Sequence, residues 1–451
     1  MPSKLKLLVI SHTFPPDSQV GGLRPARFCQ YLPEFGIEPI VLTIREDYCP
    51  ARDPSVTLPP GLQVQRTRIL PTPLDFYGKL KRRLVSGKLE DESGLKSKAE
   101  FSSLDTPRGL KWHLNGLLRI PDDNWGWYYP ALAEAKHIIR EQKVDAVLST
   151  SPPVIAHLIG RHLKKRFGLP WMIDFRDPWT HNIDVVKMPP WHERLSARLE
   201  ADCVRRADIV ICNTHRLQEM LVSEYQHLSG SKFITLTNGF ADPVPTVGMS
   251  FAKENEVTAL HLGTIYGERR IDKFASALMD LWQAGKLDPN LKVKFVGSTQ
   301  SELVQAIERE VPELLRKDIL QFIPRVPFNE GQRLLAGANL LLLFQGDHIL
   351  QVPAKFYEYL RTGKPMFAVA RQGALTDMID ESSVGKWAEP DDLEGMKCAF
   401  LEAIAMPEVS NTELSRRLGI FHYRALTEKL AFSIRRLVKA NEFEPAPAQV
   451  L

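Results

Sequence analysis

The sequence is poor in cysteine, in long apolar runs and in net charge, and each shortage argues against a class of protein. Its five cysteines are scattered without a Cys-x-x-Cys spacing, which argues against a disulfide framework and a zinc site and favours a reducing compartment. No stretch approaches the roughly 20 apolar residues of a membrane-spanning helix. The apolar run that follows the N-terminus is about six residues long, too short for the core of a signal peptide. The formal charge of +4 gives no sign of nucleic-acid binding. We therefore expect a cytoplasmic protein, either free or peripheral on the inner face of the membrane.

The length and the hydrophobic pattern predict two domains. A chain of 451 residues is long for one domain. Short apolar runs alternate with amphipathic stretches from Leu5 to Gly239, and the alternation begins again at Thr258 and continues to Ala370. Such alternation is typical of parallel sheets covered by helices. The sequence therefore predicts an α/β protein with two facing Rossmann-like domains and a cleft between them.

The same pattern places the domain boundaries. We expect the first domain over residues 1–240, a polar, proline-containing linker over 241–256 and the second domain over 257–410. One long helix is predicted from Asn411 to about Val438, since leucines and other apolar residues recur there at helical spacing. Over residues 411–451 we expect this helix to pack back across the domains and to end in a tail.

The segment from 71 to 128 breaks the alternation. Residues 79–98 hold seven Lys or Arg against three acids, and an aromatic-rich stretch follows, including Trp112, Trp125 and Tyr129. A basic segment beside an aromatic one suits the interface of an anionic membrane. The alternative is a flexible excursion whose aromatic side chains pack on the domain.

One block of the second domain suggests a ligand. An apolar run from Ala338 to Phe344 predicts a buried strand, and a helix is expected from about Pro353 to Gly363. Lys355 and Glu358 lie three residues apart, on one face of that helix. A cation and a carboxylate together suit a ligand with phosphates and sugar hydroxyls, which is a sugar nucleotide. The alternative is an intrahelical ion pair at a solvated helix start.

Further polar residues and glycines follow other predicted strands, where ligands of such sheets bind. In the first domain these are Gly21, Gly22, Arg24, Asp174, Arg176, Asp177 and Asn238. In the second they are Gly263, Thr264, Arg269, Arg270, Gly297 and Asp347. The alternatives are plain glycine turns, surface cations and a structural Asp–Arg–Asp network. No spacing of His, Cys or carboxylates is typical of a metal site.

With these motifs the chain resembles GT-B glycosyltransferases of the retaining family 4, group 1, among them enzymes of bacterial surface polysaccharides and glycoconjugates. The resemblance extends from Leu5 to about Val438. It rests on five places, namely Ser11 to Pro16 with Gly21 to Arg24, Asp174 to Trp179, Thr237 to Phe240, Leu262 to Ile265 with Arg269, Arg270 and Asp272, and Pro353 to Pro365.

The resemblance implies transfer of a hexose-type sugar from a nucleoside diphosphate to a glycan or lipid-linked acceptor. The transfer would be of the front-face, retaining type, and no metal or other cofactor is expected. Arg269 and Lys355 would stabilise the leaving diphosphate, and Arg270 would add to that charge. Glu358 would accept the two ribose hydroxyls.

The first domain would supply the rest of the site under the same resemblance. Gly21 and Gly22 would let a loop approach the diphosphate, and Arg24 would add a charge. Asp174 or Asp177 would orient or deprotonate the acceptor hydroxyl, and Arg176 would bind an acceptor phosphate. Asn238, Gly263, Thr264 and Gly297 complete the expected binding residues.

Two positions depart from the family pattern. Thr264 stands where the family usually has an arginine that meets the diphosphate, and Arg269 aligns with the usual lysine slightly further on. Glu358 matches the second of the family's paired glutamates, but Leu350 stands where the first would be. A backbone amide or Asp347 is then the candidate for recognising the sugar's far hydroxyls, with Gln345 nearby.

Two other functions stay open at this point. One is a non-catalytic GT-B subunit that binds sugar nucleotide or serves as a scaffold, and the two departures favour it. The other is a nucleotide-sugar epimerase of the same fold, although such enzymes lack this form of donor helix.

Overall fold

The computed structural model describes residues 4–50, 52, 58–73, 109–183, 187–241, 256–267 and 269–443. Contacts divide the chain into two compact units. The first comprises Met1–Asn213, Gln218–Leu236 and Thr427–Leu451, and the second comprises Thr214–Leu217 and Thr237–Leu426. Each unit contains one parallel sheet with helices, so the predicted α/β class with two Rossmann-like domains is confirmed.

The first sheet is doubly wound, with strand order β3-β2-β1-β4-β5-β6-β7. Its strands are β1 Leu5–Ile10, β2 Ile37–Ile44, β3 Gln63–Thr67, β4 Ala146–Ser151, β5 Trp171–Phe175, β6 Ile209–Cys212 and β7 Phe233–Thr235. In register, Leu8 lies beside Ile40 of β2 and beside Val147 of β4. The strand order therefore reverses at β1, which is where sheets of this kind bind ligands.

In the described residues, six helices follow these strands or cover the sheet. They are α1 Leu23–Tyr31, α2 Leu110–Leu118, α3 Tyr128–Gln142, α4 Ile155–Phe167, α5 Pro190–Arg206 and α6 His215–Glu224. The sheet interior is built from β-branched and leucine side chains, and Leu7, Leu8 and Ile10 are fully buried. Strands buried on both faces read as continuous apolar runs, which is why β1 was evident in the sequence.

The second sheet has the order β10-β9-β8-β11-β12-β13. Its strands are β8 Val257–Leu262, β9 Leu291–Val296, β10 Leu320–Ile323, β11 Leu340–Phe344, β12 Met366–Val369 and β13 Gly385–Ala388. Its helices are α7 Ile271–Gln283, α8 Ser301–Glu310, α9 Pro312–Arg316, α10 Phe328–Gly337, α11 Ala354–Leu360, α12 Ala374–Ser382, α13 Leu393–Ile404 and α14 Asn411–Leu418. Phe274 packs against Phe344, Phe367 and Phe400 on one face of the sheet.

The prediction of one helix from Asn411 to Val438 is wrong, because α14 ends at Leu418 and α15 runs over Tyr423–Phe443. The backbone between the two helices pairs with Phe240. The Phe240 N–H donates to Phe421 O at 3.1 Å, and the Tyr423 N–H donates to Phe240 O at 3.0 Å. These bonds replace the helical ones across the break, while the apolar spacing continues through it.

Two other predicted segments lie largely outside the described residues. Of the linker predicted over 241–256, residues 242–255 are not described, and of the segment 71–128, residues 74–108 are not described. The described remainder of that segment includes α2 and a short 3-10 helix at Trp125–Trp127. The Trp127 indole is fully buried and donates to Thr67 Oγ1 at 2.8 Å. Within the described ranges, none of the helices combines the length and the apolar character needed to cross a membrane.

Candidate functional site

The carboxyl end of β8 meets the first turn of α11 in the second unit. Gly263 follows β8 with φ +138°, and a Cβ atom built on it would lie 1.7 Å from the Lys355 ammonium nitrogen. Any other residue would therefore displace the lysine, and it would also have to adopt a backbone conformation that L side chains rarely take. This close approach places the Lys355 charge directly over the end of the strand.

Gly297 extends the same surface along the neighbouring strand. It follows β9 with φ +135°, and a Cβ atom on it would lie 2.4 Å from Gly263 O. The Gly263 N–H donates to Val296 O at 2.7 Å. The two predicted glycines thus allow the ends of β8 and β9 to run together without side chains between them.

The buried face of α11 sets the direction of its polar face. Phe356, Tyr357 and Tyr359 are fully buried, and the Leu262 N–H donates to the Tyr359 hydroxyl oxygen at 2.9 Å. This bond ties α11 to the end of β8. Lys355 and Glu358 therefore share the opposite face of the helix, as the sequence predicted.

Lys355 and Glu358 do not form the ion pair that was the alternative interpretation. Within the described part of the chain, no carboxylate lies at ion-pair distance from the Lys355 ammonium, and Glu358 is exposed. Burial lowers the pKa of Lys355, the Glu358 charge raises it, and Arg269 lowers it. Lys355 is thus a largely desolvated cation whose stabilising anion is not supplied by its own helix.

Arg269 lies at the same end of the sheet. Its Nη1 donates to Thr264 O at 2.8 Å, and its guanidinium lies 4.3 Å from the centroid of the Tyr266 ring. Although Thr264 stands where an arginine was expected, the Arg269 guanidinium thus returns to the main chain of Thr264. Tyr266 was missed from the sequence, since nothing in its spacing from Arg269 shows that ring and guanidinium stack.

His261 was also missed. It is buried in β8, and its Nδ1 lies 2.9 Å from Leu342 O, so that nitrogen is the donor. Burial lowers its pKa to about 3, and the charges of Lys355 and Arg269 act in the same direction. The imidazole is therefore neutral and adds no third positive charge beside the two cations.

Arg270 and Asp347 belong to a surface network of charges. Arg270 pairs with Asp272 and Asp391, each at 3.2 Å. Asp347 accepts from Arg371 Nε at 2.7 Å. Both predicted residues are thus bound to opposite charges within the protein, unlike Lys355.

Gln345 fixes the loop that leads to α11. Its Nε2 donates to His348 O at 2.6 Å and to Gln351 O at 2.9 Å. The side chain therefore shapes the loop between β11 and α11.

In the first unit, Arg24 and Asp174 form a buried ion pair. Arg24 donates to Asp174 from Nη2 at 2.9 Å and from Nε at 3.1 Å, and it also donates to Leu236 O at 2.7 Å. The hydroxyl of Thr150 donates to the same carboxylate at 2.8 Å. Arg24 and Asp174 are each only 2% exposed. This geometry gives both residues a structural role, although Asp174 pairs with Arg24 and not within the Asp–Arg–Asp network considered as the alternative. Their contact with substrate stays a prediction.

Arg176 and Gly21 lie against each other beside this pair. Arg176 Nε donates to Ser151 O at 2.9 Å, and a Cβ atom on Gly21 would lie 2.6 Å from Arg176 Nη1. Gly22 packs against the Phe14 backbone, where a Cβ atom would lie 3.1 Å from Phe14 Cα. Both glycines thus serve close packing.

The last two residues predicted for the first domain, Asp177 and Asn238, are less buried than Arg24 and Asp174. Asp177 is partly exposed beside Arg176, and Asn238 is partly exposed in the loop after β7. Across the described residues, no group of three or more His, Cys, Asp or Glu side chains is arranged to hold a metal ion.

Comparisons with known proteins agree with this fold. The family model described as "Glycosyl transferase 4-like domain" matches residues 21–226. Sucrose-phosphate synthase from Thermosynechococcus elongatus is 13% identical, with 97% of this chain and 100% of that chain covered and a TM-score of 0.63. HepE from Anabaena, solved in complex with UDP and glucose, is 12% identical, with 96% and 100% covered and a TM-score of 0.58. WaaG, a glycosyltransferase involved in lipopolysaccharide biosynthesis, is 14% identical, with 98% and 100% covered and a TM-score of 0.51. No curated protein sequence matches the chain.

The solved structures establish the fold, and the family model describes most of the first domain. Residues 21–226 match the glycosyl transferase 4-like family model, and the chain has the GT-B fold of these solved glycosyltransferases. The resemblance seen in the sequence is confirmed at this level.

The buried pair in the first unit leads to a stability prediction. Replacing Asp174→Asn leaves the Arg24 charge buried without its carboxylate, so we expect the free energy of unfolding to fall by about 3–5 kcal/mol. Chemical denaturation measures this change. Asp47→Asn, which breaks the exposed Arg45–Asp47 pair, should change it by less than about 1 kcal/mol. Loss of sugar transfer in Asp174→Asn without loss of stability would show a direct role at the substrate instead.

Proposed function

We propose that this protein transfers a sugar, with retention of configuration, from a nucleoside diphosphate to a glycan or lipid-linked acceptor in bacterial polysaccharide or glycoconjugate synthesis. One observation carries the donor part of the proposal. Lys355 and Arg269 lie at one end of the second sheet, and neither forms an ion pair with a described carboxylate. Two such cations suit a diphosphate.

The chemistry of sugar transfer uses this charge. Negative charge grows on the diphosphate oxygens as the bond to the sugar breaks, and fixed cations stabilise that charge without reorganising. Lys355 is held by α11 and the glycine surface, and Arg269 is held by Thr264 O and the Tyr266 ring. Both cations are therefore positioned before the ligand arrives.

Glu358 is the proposed partner of the ribose. It is exposed on the same face of α11 as Lys355, and it is in no ion pair with a described residue. A carboxylate accepts two hydroxyl protons at once, which matches the two adjacent hydroxyls of a ribose. HepE from Anabaena was solved with UDP and glucose, and with UDP-glucose. UDP is therefore the first nucleotide to test.

The acceptor would meet Asp177 and Arg176 in the first unit. Asp177 is partly exposed and has the chemistry to orient or deprotonate a hydroxyl. The similarity to WaaG, which acts in lipopolysaccharide biosynthesis, supports an acceptor of glycan or lipid-linked type.

A non-catalytic subunit that binds sugar nucleotide is the second candidate. Leu350 replaces the family's first glutamate, and Asp347, which could have taken its place, is paired with Arg371. Such a protein would bind the donor and neither transfer the sugar nor hydrolyse the donor.

Ligand-dependent melting tests the donor site first. UDP, GDP, ADP, dTDP and their common sugars would be screened with and without EDTA. A nucleotide at 100 times its dissociation constant adds about 2.7 kcal/mol and raises the melting temperature. Stabilisation of the wild type by nucleotides of one base, absent from Glu358→Ala, would support the proposal. If none of the nucleotides stabilises the wild type, the proposal is contradicted.

Removing either ligand group should reduce transfer. We expect Lys355→Ala and Glu358→Ala each to lower kcat/KM by at least about tenfold, consistent with the loss of one charge-assisted contact of roughly 1.5–3 kcal/mol. Steady-state transfer assays measure this. Lys286→Ala, which removes an exposed lysine of the same unit, is the control and should keep wild-type rates. Wild-type rates in both site variants would refute the assignment.

Tyr266 should act through Arg269. An exposed cation–π contact contributes about 0.5–1 kcal/mol, so Tyr266→Ala should raise the donor KM about two- to fivefold. Tyr266→Phe keeps the ring and should behave as wild type. In the Arg269→Ala background, Tyr266→Ala should raise the donor KM no further. An equal rise of the donor KM in Tyr266→Phe and Tyr266→Ala would instead assign the effect to the hydroxyl.

A further inference from the structure

Helix α2 presents its apolar side chains outward. Leu110, Leu114 and Leu117 are 77%, 49% and 59% exposed. Positions four and three residues apart lie on one face of a helix, so the three leucines form one stripe. A surface helix normally turns such a stripe towards the core.

The opposite face of α2 is anchored to the domain. Gly116 packs against Pro189, where a Cβ atom would lie 2.9 Å from the proline Cδ. The Trp112 indole donates to Lys187 O at 3.4 Å, and the Trp191 indole donates to His113 Nδ1 at 2.9 Å. The outward direction of the leucines is therefore set by contacts on the other side of the helix.

An exposed tyrosine follows α2 in the chain. The Trp125 indole donates to Leu118 O at 2.9 Å, which ties the end of α2 to the turn before α3. Tyr129, in the first turn of α3, is 65% exposed. Lys136 lies seven residues further on, on the same face of α3.

Several cations lie near His162 of α4, which contacts the first residue of α3. The Tyr128 hydroxyl lies 3.3 Å from His162 Nδ1 of α4. Burial lowers the pKa of His162, and the charges of Lys136, Arg161, Lys165 and Arg166 lower it further. Arg161 is paired with Asp202, whereas Lys165 and Arg166 are exposed at the end of α4. The apolar stripe of α2, the exposed Tyr129 of α3 and the exposed cations of α4 are thus carried by consecutive elements that contact one another.

We propose that this surface of the first unit, formed by Leu110, Leu114, Leu117, Tyr129 and the cations of α3 and α4, docks on an anionic lipid bilayer. Leucines enter the boundary between headgroups and acyl chains, a tyrosine lies at that level, and lysines and arginines pair with the phosphates.

The charge pattern favours a bilayer over a second copy of the chain. A two-fold contact brings the same patch of both copies together, so the cations of one copy would face those of the other. An anionic bilayer offers the opposite charge together with an apolar layer. None of these residues belongs to the donor site, so the two sites can be tested separately.

Vesicle binding tests the proposal with the full chain. Co-sedimentation would compare vesicles of phosphatidylcholine alone with vesicles that also contain phosphatidylglycerol. We expect binding to the second kind only, reduced by added salt. The double variant Leu114→Gln/Leu117→Gln should bind about tenfold more weakly with an unchanged melting temperature, because both side chains are exposed.

Two further variants separate the contributions. Phe432→Gln removes an apolar side chain that is 67% exposed on α15, and it should bind as wild type does. Lys165→Gln/Arg166→Gln should lower binding to anionic vesicles and weaken its salt dependence.

Four outcomes would overturn the proposal. They are absence of wild-type binding to either vesicle, equal binding to neutral and anionic vesicles, a lowered melting temperature in the leucine variant, and a dimer in solution that the leucine variant abolishes. The third would mean that the leucines are packed within the protein, and the fourth would mean that a second copy covers them.

Discussion

The close approach of the Lys355 ammonium to Gly263 is the constraint on which the second unit's site depends. It requires a residue without a side chain at the end of β8, and Gly297 is required next to it for the same reason. It also requires α11 to be held rigidly, which Phe356 and the bond between Tyr359 and Leu262 accomplish. A buried aromatic face and two glycines thus combine to place one charge.

The two units treat buried charge in opposite ways. In the first, Arg24 is matched by the Asp174 carboxylate within a hydrogen-bonded network, so its desolvation is offset inside the protein. In the second, burial lowers the pKa of Lys355, and no described carboxylate is at ion-pair distance. The first arrangement stabilises a fold, and the second leaves a cation whose best partner is an external anion.

How far the sequence predicted the structure depended on the range of the interaction. Strands such as β1 and β11 and the face shared by Lys355 and Glu358 follow from local periodicity, and they were predicted. The contact of Arg24 with Asp174 joins residues far apart in the chain, and periodicity carries no information about it. The break after Leu418 was missed because apolar spacing continues through it, while the deciding bonds go to Phe240. The stacking of Tyr266 on Arg269 depends on a loop conformation that composition does not encode.

Neutral His261 shows how the site tolerates two neighbouring cations. A protonated imidazole there would add a third positive charge in a desolvated place, but its pKa of about 3 keeps it uncharged at any physiological pH. Its Nδ1 donates to Leu342 O, which leaves Nε2 as an acceptor that is buried without a hydrogen bond from any described residue. The repulsion between Lys355 and Arg269 is therefore not increased by the strand beneath them. An anion that binds both cations removes that repulsion, so ligand binding and the stability of the second unit should be linked.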